Sequence, residues 1–405
     1  MSLFVTGSFL RLSLFTILVF TVVACATSVR APTNSAPSLP AINAAMEDFT
    51  DSQEIAGAVT MVINQDHLIH LGATGFADLA TRRPMTSDAL FWIASMTKPI
   101  TATAIMMLQD QGKLSVDDPV EKYIPTFANI STADGTPGNV TLKHLLTHTS
   151  GLSESTKEER NAAKSLAALI PGVAGRPLQF PPGSRWAYCQ SGMNTLGRII
   201  EVVSGESFPA FLQHHILGPL GMIDTTFYPT PAQLARLVTA YKQDDGTLIV
   251  TQLPWDFDPA NVVRFPAANG GLFSTASDYA RFCSMLLNDG TYGGRTFLSK
   301  SAVDNMRSIA SGELKTGFTD GNAWGLGVCV VREALGVSAA LSPGSFGHGG
   351  AYGTEAWIDP VNKIAYILMV SRSNFPNADN SDVRKKFQDI AAELYPATKQ
   401  ILTPQ

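Results

Sequence analysis

The sequence predicts an α+β fold: an antiparallel sheet flanked by N- and C-terminal helices, with a mostly helical subdomain inserted between its strands. Three observations lead there. Strand-like apolar runs occur at both ends of the chain, helix-period runs lie beside them at both ends, and the Pro- and Gly-rich middle holds helical stretches with few convincing strands. With 405 residues, 45% of them hydrophobic and only 16% charged, the chain can bury a large core and lacks the composition of a disordered protein.

Taken in order, residues 41–49 read as a short helix, and 56–63 with 67–75 as two strands joined by the hairpin signal Asn64-Gln65-Asp66. From 97 to 111 good helix formers place Ile100, Ala104, Met107 and Leu108 on one face, and Gly112 supplies a C-terminal stop. Residues 114–275 are the expected helical insertion, with helices at 142–146, 193–203 and 208–217. Thr275 with Asp278 forms a capping-box pattern ahead of a helix at 279–287. Strand signals return at 326–331, 354–358 and 364–371, and an amphipathic helix at 382–394 closes the chain. No fixed-period repeat or charge block divides the chain, so 41–395 is expected to be one body.

The N-terminus is a separate matter. Arg11, an apolar run over 12–24 and Cys25 are the parts of a secretory signal peptide, residues 1–25, too short to cross a bilayer comfortably. Two processing sites compete. Val22-Val23-Ala24-Cys25 matches a bacterial lipoprotein box that would lipidate Cys25, and Ala24-Cys25-Ala26 matches an ordinary signal-peptidase site. Residues 26–40, rich in Ala, Pro, Ser and Thr, suit a flexible tether in either case. The expected location is the periplasm or, through a lipid anchor, a bacterial membrane.

Charge and cysteine usage exclude several classes. The 29 Lys+Arg are scattered against 34 Asp+Glu, a net charge of −5, so no footprint for a nucleic acid exists. Cys25, Cys189, Cys283 and Cys329 form none of the close pairs of zinc or redox motifs, and three remain if Cys25 carries lipid, which argues against a disulfide framework. Cys283 and Cys329 sit in apolar patterns and are expected to be buried; so is Cys189, which has no neighbouring cation in sequence to depress its pKa.

The strongest chemical signal is Ser95-Met96-Thr97-Lys98, where the apolar stretch Leu90-Phe91-Trp92-Ile93 enters the predicted helix. Residues three apart share one helical face, about 5–6 Å between Cβ atoms. A serine hydroxyl needs a base to take its proton, and a lysine amine serves only if burial lowers its pKa. The same pattern also suits an ordinary capping serine with a solvated lysine. His144 and His148 are spaced like a metal pair, but no carboxylate accompanies them, and they are expected to be structural. No Gly-x-Ser-x-Gly elbow occurs.

Further segments change the weight of the serine motif: His144-Leu145-Leu146-Thr147-His148-Thr149-Ser150-Gly151-Leu152, Tyr188-Cys189-Gln190, Gly218-Pro219-Leu220-Gly221-Met222, Asn269-Gly270-Gly271-Leu272-Phe273-Ser274-Thr275 and His348-Gly349-Gly350. In order and wording they resemble the β-lactamase-related serine hydrolases, a group that includes class C β-lactamases, D-alanyl-D-alanine carboxypeptidases and family VIII carboxylesterases. The resemblance runs from about residue 41 to 394 and implies a β-lactamase/transpeptidase-like fold. It implies Ser95 as acylated nucleophile, Lys98 and Tyr188 as its proton-handling partners, and the backbone N–H groups of Ser95 and Ala351 as oxyanion hole. Gln190, His348, Gly349 and Gly350 would contact substrate; no metal or organic cofactor is implied.

Two departures bear on substrate. Gln190 stands where many members have asparagine, and His348 stands where β-lactamases have lysine, a weaker anchor for a carboxylate. Lys315-Thr316-Gly317 spells the lysine motif literally, but its neighbours have loop composition, so His348 is the expected third motif. The order of expectation is carboxylesterase, then D-alanyl peptide carboxypeptidase, then β-lactamase. A protein of another class, a penicillin-binding sensor or a non-catalytic binder, is the alternative.

Overall fold

The computed structural model describes residues 38–253, 258–317, 319–375 and 381–402; residues 1–25, Cys25 among them, and nearly all of 26–40 lie outside that range. An eight-stranded, wholly antiparallel sheet forms the centre of the unit Ala36–Gln405. Gly57–Asn64 and Leu68–Asp78 form a hairpin, and Asn64 Oδ1 closes its turn by accepting from the N–H groups of Asp66 and His67. Ile364–Met369 from the far end of the chain pairs with Gly57–Asn64 in the register Thr60↔Leu368. Glu355–Asp359, Phe346–Gly349, Cys329–Val331 and Asn322–Trp324 then continue the sheet outward.

The sheet is covered on both faces, which is why its central strands are apolar runs. Side chains alternate across a strand. Val59, Met61, Ile63, Ala365, Ile367 and Met369 point to one core, and Ala58, Val62, Ile364, Tyr366 and Leu368 to the other. Two terminal helices fill the second core. Pro40–Asp51 contributes Ile42, Ala45 and Met46, and Asp382–Leu402 contributes Val383, Phe387 and Ala391.

On the other face lies the helix Thr97–Asp110. The expected single apolar face is too narrow a description, because every residue from Thr97 to Leu108 is buried. A helix packed on all sides carries apolar or small residues all round, and its threonines must find partners. Thr101 Oγ1 donates to the Ala268 carbonyl at 2.8 Å. Gly112 follows the helix at φ +69°, the left-handed conformation that ends it.

Residues 114–275 hold the helices Leu142–Leu146, Gln190–Ser204 and Phe208–Leu212 near their expected places. They also hold a hairpin that was not expected, Tyr241–Asp244 with Thr247–Val250. Asp245 and Gly246 both have positive φ there, the mirror-image turn that an Asp-Gly pair favours. The capping box at Thr275 is only half formed. Thr275 Oγ1 accepts from the Asp278 N–H, but the Asp278 carboxylate turns away to the Asp224 N–H and Thr225 hydroxyl.

Candidate active site

Ser95 is placed by a short ribbon and a kink. Phe91–Trp92 pairs with Phe273–Ser274, and the Ile93 N–H donates to the Leu272 carbonyl at 3.1 Å. Ala94 then adopts φ +45°, a costly conformation for a residue with a Cβ. The chain turns there into the 3₁₀ turn Ala94–Met96, which runs directly into Thr97–Asp110. Ser95 thus sits at the entrance of a long helix, half-buried, where free N–H groups and the helix dipole favour negative charge.

Lys98 is one turn further and wholly buried. Its Nζ donates to Ser95 Oγ at 2.9 Å and to the Asn269 carbonyl at 2.7 Å, and it lies 4.6 Å from the centre of the Tyr188 ring. The Asn269 side chain is fixed in turn, since Nδ2 donates to Gln190 Oε1 at 2.9 Å. Gln190 therefore supports the carbonyl that orients Lys98.

Tyr188 stands in the loop ahead of Gln190–Ser204, and several bonds pin that loop. Ala187 N–H donates to the His148 carbonyl at 2.9 Å, and Cys189 N–H to His148 Nδ1 at 3.2 Å. Glu154 receives the N–H groups of Gln190 and Ser191 at 2.6 and 2.9 Å, satisfying the open end of the helix. The Tyr188 ring packs against His148 at 4.5 Å between centroids and against Trp324 at 5.9 Å.

His348 lies on Phe346–Gly349 opposite Tyr188. Its Nδ1 bonds the Gly349 carbonyl at 2.7 Å, and because a carbonyl only accepts, Nδ1 carries the proton. Nε2 is left as an acceptor, 3.4 Å from Tyr188 Oη. Burial, with the Lys98 charge as second cause, pushes the His348 pKa down to about 3, so the ring is neutral at pH 7. Gly350 follows at the strand's end. A Cβ on it would lie 2.7 Å from the Ile93 carbonyl, so only glycine lets this segment come so close to the chain that carries Ser95. Ala351, next in line, is exposed.

The remaining sequence candidates have other partners. Cys189 caps the helix, its Sγ accepting from Gly192 N–H and donating to the Leu152 carbonyl, and burial pushes its pKa up to about 12. His144 closes a capping box with Thr141. Lys315 is exposed in a loop whose Gly317 lies over Trp186.

The Beta-lactamase family model matches residues 42–389. The chain belongs to the Beta-lactamase family. Esterase EstB of Burkholderia gladioli is 29% identical over 364 residues, 82% of this chain and 89% of that one. Penicillin-binding protein 4 of Amycolatopsis lactamdurans is 31% identical over 308 residues, 76% of this chain and 77% of that one. Among solved structures, EstCE1, a hydrolase with promiscuous acyltransferase activity, superposes with a TM-score of 0.75 at 24% identity, covering 87% of this chain and 98% of that one. That likeness shows the fold, in agreement with the antiparallel sheet and flanking helices read from the sequence.

Against this Beta-lactamase-family fold, three residues stand out that sequence reasoning passed over. Asn269 lay inside a recognised segment, but its carbonyl, the atom that matters, has no sequence signal. Glu154 follows Leu152-Ser153 with nothing to mark it as a cap for a helix 36 residues on. His148, expected to be structural, touches the Tyr188 ring and holds the next residue's N–H.

Proposed function

We propose that this Beta-lactamase-family hydrolase is an exported serine carboxylesterase that forms an acyl-enzyme at Ser95. The observation that carries the reading is the buried Lys98 Nζ, within 2.9 Å of Ser95 Oγ and held from behind by the Asn269 carbonyl. In its neutral form the amine gives one hydrogen to that carbonyl and turns its lone pair to the serine hydroxyl. Ser95 Oγ attacks the ester carbonyl as its proton passes to Nζ, and the N–H groups of Ser95 and Ala351 receive the oxyanion. Tyr188 turns its hydroxyl from neutral His348 to give its proton to the leaving alcohol and takes one back from the Lys98 ammonium, so that phenol and neutral amine are both restored. Water then repeats the sequence on the acyl-enzyme.

Two features favour an ester over a β-lactam or D-alanyl peptide. His348 is neutral where a cation would hold a substrate carboxylate, and EstB, similar over most of both chains, is named an esterase. The test compares a short-chain p-nitrophenyl ester, a D-alanyl-D-alanine peptide and a chromogenic cephalosporin at equal enzyme, with fluorophosphonate labelling of Ser95. Turnover is expected to be fastest on the ester and abolished in Ser95→Ala. Lys98→Ala and Tyr188→Phe are expected to lose on the order of 10²–10⁴ in rate. Absence of label sinks the covalent mechanism, and stable penicillin labelling without ester turnover indicates a sensor. Fractionation of the expressed full-length chain, with Cys25→Ala as control, tests export and lipid attachment.

A further inference from the structure

A cavity of about 280 Å³ is walled in part by the segment that holds Lys98. Its inner wall is Asn269 and Gly270, the segment whose first carbonyl takes Lys98 Nζ and whose second takes Trp92 Nε1 at 2.8 Å. Trp92, three residues before Ser95, lines the cavity too. A larger cavity, about 650 Å³, lies at the Asn64–Leu68 turn; Ser95, Lys98, Tyr188 and His348 line neither cavity, and of the two the smaller shares the Asn269–Gly270 segment with the site.

The charge of the smaller cavity is one-sided. Among the described residues, Arg160, Lys164 and Arg264 line it against one carboxylate, Asp258. Arg264 is not a loose surface cation. Its guanidinium lies 5.2 Å from the centre of the Tyr228 ring and donates to the Phe227 carbonyl, which holds the fork in place. Burial lowers its pKa only to about 10, so it stays charged at neutral pH. A guanidinium partly withdrawn from water attracts an anion more strongly than a solvated one, and its planar fork matches a carboxylate. The strand side of the site offers no such group in its third motif, where His348 is neutral. The volume is close to the lower bound of small-ligand pockets, roughly 300 Å³, enough for a short carboxylated chain.

We propose that this cavity is an anion subsite, and that the substrate is an ester carrying a carboxylate that docks on Arg264, Lys164 and Arg160. The proposal rests on the ester-hydrolase reading above. It makes the native substrate a half-ester of a short dicarboxylic acid, or an ester of a carboxylated alcohol, in place of a neutral fatty ester.

Paired esters of matched shape test it. Mono-p-nitrophenyl glutarate is compared with p-nitrophenyl valerate, placing the charge on the acyl side. Para-acetoxybenzoate is compared with its methyl ester, placing the charge on the alcohol side. For one pair, the anionic-to-neutral ratio of kcat/KM is expected to fall on the order of tenfold in Arg264→Gln and severalfold in Lys164→Gln, and to fall with added salt. Lys164 is exposed, so its variant serves even if Arg264→Gln does not fold. Ratios indifferent to both substitutions, or moved only by Lys315→Ala, overturn the subsite while leaving ester hydrolysis standing. Calorimetric titration of mono-p-nitrophenyl glutarate into Ser95→Ala protein, with and without Lys164→Gln, reads the subsite without turnover. Binding weakened by Lys164→Gln, together with wild-type protein that hydrolyses no ester, means that the subsite stands and the hydrolase reading falls.

Discussion

Gly350→Ala tests whether the strand end presses on the chain that carries Ser95, the proposed nucleophile. The added Cβ would meet Thr354 Oγ1 at 2.1 Å and the Ile93 carbonyl oxygen at 2.7 Å. Thr354 is fully buried, and its hydroxyl already points at that same carbonyl at 3.4 Å, so it has little room to swing aside. Restoring ordinary contacts therefore needs about 0.7 Å from the Ile93 carbonyl and about 1.3 Å from the Thr354 hydroxyl, which the strand itself must supply in part. Overpacking of this kind typically costs about 1–3 kcal/mol of stability. The kinetic cost is larger, because Ser95 lies two residues beyond Ile93 and Ala351 one residue beyond Gly350. Displacement of a reacting group by about 1 Å costs on the order of 10² in rate. The expected result is a loss of about that size in kcat/KM on a p-nitrophenyl ester, with a modest fall in Tm by calorimetry. Gly192→Ala is the control, since its Cβ would meet only Leu145, at an ordinary 3.6 Å. Wild-type activity and Tm in Gly350→Ala would refute the close approach and with it the assignment of the Ala351 N–H to the oxyanion hole.

Three more expectations follow from the same geometry. Glu154→Ala removes acceptors from the Gln190 and Ser191 N–H groups and the Ser191 hydroxyl, so Tm and kcat should fall together, with about 1–3 kcal/mol lost, and equal Tm values would refute the cap. His348→Lys should raise acylation by a D-alanyl peptide or cephalosporin relative to a neutral ester, on the order of tenfold for one added charge-assisted hydrogen bond; an unchanged ratio places His348 out of reach of a substrate carboxylate. Stability should also fall in mild acid. Burial lowers the pKa of His70 to about 4 and of His348 to about 3, whereas both take protons near pH 6.5 once unfolded. The unfolded chain then binds more protons, so stability is full above pH 6.5 and is lost as pH falls toward 4, ~1.4 kcal/mol per pH unit for each such group. Urea midpoints at pH 7, 6 and 5 check this, and His70→Asn should flatten the slope.

What was legible in the sequence was periodic or local. The strands Gly57–Asn64 and Ile364–Met369 are runs of buried residues bounded by turn signals, and both were readable to within a few residues. Their pairing with each other was not, because nothing in either run names a partner 300 residues away in sequence. The same limit explains the site. Ser95 and Lys98 share a helix face, so spacing alone brings them together. Tyr188 and His348 were found only through a resemblance, since their meeting depends on bonds from His148 and Glu154 to the loop and on the strand pairing Gly347↔Trp357. The Asp245-Gly246 hairpin was a local signal overlooked, as were the Gly293-Gly294 hairpin and the helix Lys300–Arg307 behind its Ser299 cap, and the half-formed cap at Thr275 shows tertiary context taking Asp278 from its helix to the Asp224–Thr225 turn.

The histidine in the third motif changes more than a charge. A lysine there would only donate, whereas His348, with its proton fixed on Nδ1 by the Gly349 carbonyl, presents a lone pair to Tyr188 Oη. An acceptor at that point favours the tyrosine as a phenol, with its proton directed at the imidazole. A phenol cannot take the proton of Ser95, so in the proposed mechanism the base is Lys98, whose Nζ lies 2.9 Å from Ser95 Oγ. The histidine also leaves the third motif without a cation. A substrate carboxylate that a lysine would have held there must find its charge elsewhere, and in the proposed subsite Arg264, beside the Asn269–Gly270 wall, would supply it. The exchange of one basic residue for another thus connects the choice of base at Ser95 to the place where an anionic substrate docks.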